Sequence, residues 1–461
     1  MATGMADLEH AGTLDMIGTT PEKEFAVPDQ LGMMRLSRLA PRPKCLEDTG
    51  LSRELVVDLI AKHILDQGTL SLAELSNALR LPGAILENLL GFMRTEALIE
   101  VRPTHSDEPG LSYALTDRGR ASGLDAMLRS GYVGPAPVTL GHYTIITRSQ
   151  SIHKQKVARD AMHRSFERVV IDQSLLDRLG ASVNSGRAVI LYGNAGTGKT
   201  YISQRLTRLF PDLTLIPHAV AIDNNIVQLF DPLIHQAVND DRDSDSYVLE
   251  KGYDRRFNLC ERPTVITAGE LTGDMLEVNY EPTTKTYEAP LQMRANNGVF
   301  IIDDLGRQRI QPKELFNRWI VPLEERKDYL SLQSGRHFSV PFDTILIFST
   351  NIHPLELADE AFLRRIGYKI EFTPLSAEAY ERVWRDTCVE MEVDYDHTVL
   401  DYVMNQLHAH HQVELLPCHP RDLIGMAIDH ALYTDNQRFI DIDKMRWAWR
   451  NYFVSLTDAP Q

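Results

Sequence analysis

From residue 47 onward the apolar positions fall into short, punctuated periods. Leu55, Leu59, Ile60 and Ile64, with His63 among them, line one face of a helix. Ser71, followed three residues later by Glu74, forms a capping box that opens a second helix over Leu72–Leu79. The turn Arg80-Leu81-Pro82-Gly83 leads into a third helix over Ala84–Glu96, with Ile85, Leu89, Phe92 and Met93 facing inward. Two strands follow, Leu98–Arg102 and Leu111–Leu115, separated by a loop rich in Pro, Gly and Asp. Asp117–Arg129 closes the unit as a helix. The pattern predicts a small α+β domain over 47–130.

The flanks of this unit lack a sustained period. Residues 1–46 mix Gly, Thr, Pro and Met and are expected to be a flexible lead. Residues 131–155, with Gly134-Pro135-Ala136-Pro137, are expected to be a linker. Helical spacing returns over 156–187, where Ala161, Phe166, Val169 and Val170 share a face.

The pattern then changes character. Val189-Ile190-Leu191-Tyr192, Val299-Phe300-Ile301-Ile302 and Ile345-Leu346-Ile347-Phe348 are continuous apolar runs, as expected of strands buried on both faces of a parallel sheet. Between the first two, alternating residues on either side of Glu281-Pro282-Thr283-Thr284-Lys285 predict a β-hairpin over 275–290. It can be a loop that touches a substrate or a plain sheet-edge hairpin. The stretches 376–392, 397–410, 420–433 and 441–453 all carry helical apolar spacing. The chain therefore divides into the lead, the small unit, the linker, an α/β domain over 156–373 and a helical domain over 374–461.

Composition narrows the function. The 461 residues carry a net charge of −16, which argues against a whole-chain polyanion binder. Cys45, Cys260, Cys388 and Cys418 are scattered without metal or redox spacing, which suits a reducing compartment. No apolar run approaches the roughly 20 residues that span a bilayer, and the first residues lack a basic stretch and apolar core. A cytoplasmic protein without membrane insertion is expected.

The chemistry is concentrated after the first buried strand. Gly193-Asn194-Ala195-Gly196-Thr197-Gly198-Lys199-Thr200 is a GxxxxGK[ST] loop. Its glycines let the backbone wrap a phosphate with N–H groups pointing inward, and the following helix adds its positive end. Lys199 can reach the β- and γ-phosphates, and the Thr200 hydroxyl can ligate Mg²⁺. ATP and Mg²⁺ are the expected ligands. The second buried strand ends in Asp303-Asp304, at the ligand edge of a parallel sheet. Asp303 can hold Mg²⁺ through water and Asp304 can orient or deprotonate the attacking water; the plain alternative is a strand end with solvated acids. Asn351 ends the third strand and can orient the lytic water or bind the γ-phosphate. Arg364 and Arg365 follow an apolar anchor and otherwise read as a solvated helix face.

Two other clusters read as bland. His408, His410, His411 and His419 gather near Cys418, but four tetrahedral ligands are not evident, so no metal is expected there. The run Asp240–Asp245 reads as a solvated loop.

In this order, the motifs over about 156–455 resemble those of the AAA+ ATPases. The match consists of a Walker A loop at 193–200, a Walker B strand ending in Asp303 and Asp304, a sensor-1 asparagine (Asn351), arginine-finger candidates (Arg364, Arg365) and a sensor-2 arginine (Arg421) in a helical lid. Val-Pro-Leu-Glu-Glu-Arg326, the hairpin-like stretch to Val340 and Phe-Ser-Thr-Asn351 look like the MoxR branch of chaperone-like remodelers. The chain also resembles bacterial ATPases linked to pilus assembly or secretion. One departure is Asp304, where most members carry Glu; Asp-Asp also occurs among initiators and helicase loaders. The resemblance implies a P-loop parallel sheet with a helical lid, ATP hydrolysis at a site completed by a neighbour's arginine, a homo-oligomeric ring of six, and a protein client. The unit over 47–130 resembles a winged helix, which opens the alternative of a DNA-acting regulator or helicase loader. Its third helix carries Asn88 and Arg94 but also Glu87 and Glu96, and the unit has eight Lys/Arg against thirteen Asp/Glu. That balance disfavours DNA.

Overall fold

Five parallel strands form the centre of the structure, a computed structural model that describes residues 30–103, 111–238 and 252–453. Numbered within this sheet alone, they are β1 (Val189–Tyr192), β2 (Thr264–Thr267), β3 (Val299–Ile302), β4 (Ile345–Thr350) and β5 (Tyr368–Glu371). All pairings are parallel and the spatial order is β2-β3-β4-β1-β5. One strand, β4, therefore separates β1 from β3, and the three tips that carry the predicted chemistry lie side by side.

Alternation along each strand builds a core on either face. Val189, Leu191, Ile301 and Ile347 pack with Met162, Phe166, Leu176, Leu179 and Ile202. Ile190, Phe300, Ile302 and Phe348 pack with Leu315, Phe316 and Trp319. The first layer includes α1 (Lys199–Leu206), which follows the loop after β1; the second includes α2 (Pro312–Glu325), with Pro312 at its first turn. Trp319 is fully buried, and burying a side chain of that kind contributes about 1.5–3 kcal/mol. After α2 the chain forms the hairpin Lys327–Ser331/His337–Pro341 before entering β4. The fold is thus α/β, a P-loop parallel sheet.

The C-terminal region is helical. Its main helices are α3 (Ala377–Glu390), α4 (His419–Asp435) and α5 (Ile442–Tyr452), joined in one core by Tyr380, Trp384, Ile424, Ala427 and Trp449. Over 397–410 the expected helix opens after Asp401 into wider π-type turns, Tyr402–His408, which point Val403, Leu407 and His408 inward.

The small N-terminal unit has helices Arg53–Gln67, Leu72–Leu79, Gly83–Thr95 and Asp117–Arg129 around a three-stranded antiparallel sheet, Leu70–Ser71, Leu111–Leu115 and Ile99–Pro103 in that order. Ser71 and Glu74 make both bonds of the capping box. The unit does not hang free. Its core is continuous with Ala219, Ala221 and Ile226 of a second, mixed sheet, four of whose five strands are inserted between β1 and β3. That sheet runs Asn279–Glu281, Thr286–Glu288, Asn225–Gln228, Ala219–Ile222 and Val138–Thr139.

Two expectations are corrected here. The segment 131–155 is not a linker. Val138–Thr139 is a strand of the second sheet, and Leu140–Ser149 is a helix that buries Tyr143 and Ile146. Two strand residues are too few to show alternation, and the prolines before them read as linker. The lead is also partly built in. Gln30–Leu39 is a helix, Ala40 is fully buried beside Tyr253 and Phe257, and the Ala40 carbonyl accepts from Asp254 N–H (2.9 Å). Residues 1–29 and the Asp240–Asp245 run lie outside the described residues.

Arg256 locks this junction. Its guanidinium pairs with Asp254, both 1% exposed, and donates to the carbonyls of Pro137 (3.0 Å) and Thr49 (3.4 Å). One buried cation thus ties the chain entering the strand Phe257–Glu261 to the start of the N-terminal unit and to a segment read from sequence as a linker. The hairpin over 275–290 forms at the edge of the inserted sheet, and Gly131 N–H donates to the Lys285 carbonyl at its tip (3.1 Å).

Candidate nucleotide site

The loop after β1 has the backbone that its glycines permit. Gly193 has φ +140° and passes so close to β5 that a Cβ would stand 2.2 Å from the Phe372 carbonyl oxygen. Gly196 and Gly198 have φ +80° and +87°, and Gly198 caps α1. Thr197 is buried, and its hydroxyl donates to the Asn194 carbonyl (2.8 Å); Asn194, Ala195 and Gly196 are exposed along the mouth of the loop.

Lys199 is 6% exposed and turned into this loop. Its ammonium donates to the carbonyls of Gly193 and Asn194 and to Asn351 Oδ1, each at 2.8 Å. Burial lowers its pKa, while the charges of Asp303 and Asp304 work the other way. The ammonium spans β1 and β4, so the Walker-type lysine and the strand-tip asparagine predicted from sequence are in direct contact.

The acidic pair completes the site from β3. Thr200 Oγ1 donates to Asp303 Oδ2 at 2.7 Å, across 103 residues of chain. Asp303 Oδ1 is buried and has no hydrogen-bond partner among the described residues. A hydroxyl beside a carboxylate with one buried oxygen left open supplies the hard oxygen donors that Mg²⁺ prefers, so the residues fit that ion. Asp304 sits at φ +49°, and Asn351 Nδ2 faces its Oδ1 at 3.5 Å.

The arginines separate sharply. Arg364 has a side chain 80% exposed at the end of the short helix Glu360–Leu363, and among the described residues its ion pair is a long one to Glu360 (3.7 Å, i,i+4). Arg365 is tied down by Glu324 of α2 (2.6 Å) and by the Ala361 carbonyl (2.8 Å). Arg421, on α4, pairs with Glu390 at the end of α3 (2.9 Å). His408 is buried, bonded to the Tyr380 hydroxyl (3.1 Å) and the Val413 carbonyl (3.1 Å); His410 and His411 face solvent.

Several residues at the site carry no sequence signal. The segment Glu414–Cys418, entering α4, lies over the phosphate loop. Glu414 accepts from Asn194 Nδ2 (2.8 Å), Pro417 lies against Gly198, and Cys418 Sγ is 2.6 Å from where a Cβ on Gly196 would stand. Burial raises the Cys418 pKa, so its thiol stays protonated at neutral pH. Gln308 reaches back to the acidic pair's own backbone.

Residues 376–451 match a family described as Domain of unknown function (DUF8689). None of the curated proteins matches the chain. Among solved structures, it is similar to the RuvB Holliday junction branch migration motor of Thermotoga maritima, at 13% identity and a TM-score of 0.35, covering 62% of this chain and 72% of that one. It is also similar to NtrX from Brucella abortus (11%, TM-score 0.37, 68% and 58% covered). A third likeness is to the FIGL-1 AAA domain in complex with ADP (14%, TM-score 0.30, 65% and 80%). At these scores the strand order and the loop geometry define the fold, not the likenesses.

Proposed function

We propose that this chain is an AAA+ ATPase that converts ATP hydrolysis into remodelling of a protein partner. The observation that carries the reading is the 2.7 Å contact between Thr200 and Asp303, which joins the phosphate loop to the acidic strand tip. The loop N–H groups and the positive end of α1 receive the triphosphate, and Lys199 exchanges carbonyl oxygens for β- and γ-phosphate oxygens. Mg²⁺, held by Thr200 and Asp303, would offset the phosphate charge there. Asp304 accepts a hydrogen bond from the attacking water and Asn351 keeps that water oriented. The water oxygen bonds to the γ-phosphorus, the bond to the bridging oxygen breaks, and ADP and phosphate leave.

Two arginines complete this cycle. Arg364 is the better finger, because it is free to enter a neighbouring subunit's site, whereas Arg365 holds Glu324 within its own chain. Arg421 reaches the γ-phosphate by leaving Glu390. A site shared between subunits makes turnover depend on assembly, in a homo-oligomeric ring that the family resemblance puts at six. The N-terminal unit, winged-helix-like in its helices and antiparallel sheet, recruits the client or regulates the ring. Its acidic balance favours a protein partner over DNA.

The test is ATP turnover against protein concentration, with and without double-stranded DNA at physiological salt. Specific activity that rises with concentration, ignores DNA and vanishes in Lys199→Ala supports the reading. Clear stimulation by DNA moves the chain to the DNA-acting class.

A further inference from the structure

We infer that Gln308 is a positioning residue that holds Asp304 in its working geometry, an assignment that rests on the proposed ATPase reading. The turn that follows β3 is unusual in its backbone. Asp304 has φ +49° and Gly306 has φ +108°, so two left-handed positions lie two residues apart. Gly306 has a steric reason for carrying no side chain, since a Cβ there would stand 2.6 Å from Ile352 Cδ1. Asp304 is not a glycine, and a non-glycine residue in that region costs about 1–3 kcal/mol, toward the lower end for Asp, which tolerates it better than most. Something must over-determine it.

Gln308 is that element. Its Nε2 donates to the carbonyls of Asp303 (2.8 Å) and Asp304 (3.1 Å), and its Oε1 accepts from Gly306 N–H (2.8 Å). One half-buried amide thus satisfies three backbone groups of the turn, while Arg307 and Arg309 on either side face solvent. The flanking strands hold two further donors, Asp303 N–H on the Thr267 carbonyl and Leu305 N–H on the Ser349 carbonyl, both at 2.8 Å, and within the turn Arg307 N–H shares the Asp304 carbonyl with Gln308 (3.0 Å). Between those two anchors the one strained peptide is the one Gln308 brackets. Its consequence is directional, because the left-handed turn is what aims the Asp304 carboxylate at Asn351. Among the described residues the Gln308 side-chain amide bonds only backbone groups of this turn, so it acts through Asp304.

The experiment compares Gln308→Ala in two backgrounds, wild type and Asp304→Asn, with ATP turnover, nucleotide affinity and thermal midpoint read for each. In the wild-type background turnover falls about tenfold to hundredfold, the usual effect of removing a group that orients a reacting one, while affinity holds and the midpoint falls by only a few degrees, as the loss of three local bonds requires. In the Asp304→Asn background Gln308→Ala adds little, since the group it positions is already gone. Gln308→Glu is as slow as Gln308→Ala, because a carboxylate keeps the bond from Gly306 but opposes two carbonyl oxygens. Unchanged turnover in Gln308→Ala, or an equal fall in both backgrounds, overturns the inference and leaves the ATPase reading intact. A wild-type chain that hydrolyses no ATP overturns the reading itself, and the inference with it.

Discussion

The side-chain amide of Asn194 donates to Glu414 at 2.8 Å, joining the phosphate loop to the helical region across 220 residues of chain. The same segment lays Pro417 and Cys418 against Gly198 and Gly196, so the contact works as a latch over the mouth of the loop. A hydrogen bond of this kind contributes about 1 kcal/mol, roughly fivefold in a rate constant. Glu414→Ala should therefore release a fluorescent ADP analogue about fivefold faster in stopped flow, with the thermal midpoint lowered by only about 2–4 °C. Release at the wild-type rate would mean that the latch is open when nucleotide is bound.

Arg364 and Arg365 should behave oppositely on substitution. A finger supplied by a neighbour is worth about 10³–10⁵ in turnover, so Arg364→Ala should be nearly inactive yet as stable as wild type. Arg365→Ala loses a partly exposed pair with Glu324, worth about 0.2–1 kcal/mol of stability, and should keep most of its turnover. Mixing inactive Arg364→Ala with inactive Lys199→Ala subunits should restore activity, because one supplies an intact loop and the other an intact arginine. A mixture as dead as its components would rule out a shared site.

What was readable in the sequence follows from where each constraint resides. The phosphate loop is local chemistry: spacing, a preceding apolar run and a following helix suffice to place Lys199. The Asp303–Asp304 and Asn351 tips are also local, since four apolar residues in a row mark a strand buried on both faces. The inequality of Arg364 and Arg365 is not local. The two are adjacent in sequence, and only the position of Glu324 on α2 separates them. Glu414 and Gln308 carry no motif because their partners are an amide 220 residues away and a set of backbone carbonyls. The reading of 131–155 as a linker failed for the converse reason. Its prolines signal loose chain, and the contact that fixes Pro137 is a buried guanidinium over a hundred residues later.

That guanidinium makes a second stability test. Arg256 and Asp254 are both 1% exposed, so Arg256→Met leaves a buried carboxylate without its partner. The expected loss is about 3–5 kcal/mol in urea titration, with faster proteolysis around residues 40–49, whose carbonyls the junction holds. The double change Arg256→Met with Asp254→Leu should be much milder, since it removes the stranded charge. Equal losses in the single and double variants would place the effect in packing and not in the ion pair.

The pH dependence of stability should carry the mark of His235. Its Nδ1 accepts from Asp231 N–H and its Nε2–H donates to the Arg294 carbonyl, both at 2.9 Å, so the ring is neutral with the proton on Nε2. Adding a proton at Nδ1 would set two N–H groups against each other in a buried site. Burial accordingly lowers the His235 pKa to about 4 from its ordinary 6.5. Between those two values the unfolded chain binds a proton that the folded chain does not, so folding stability falls as pH drops through that window and is unaffected above it. The full window is worth about 3 kcal/mol for this one ring. His153, His218 and His419 are also lowered to about 4 by burial and add to the same slope. Urea titrations between pH 5 and 6.5 should show a steep loss for wild type. His235→Gln should be shallower by an amount that grows from about 0.7 kcal/mol per pH unit at pH 6.5 toward about 1.4 near pH 5, the contribution of one proton. An unchanged slope in His235→Gln would show that the ring takes up its proton without unfolding.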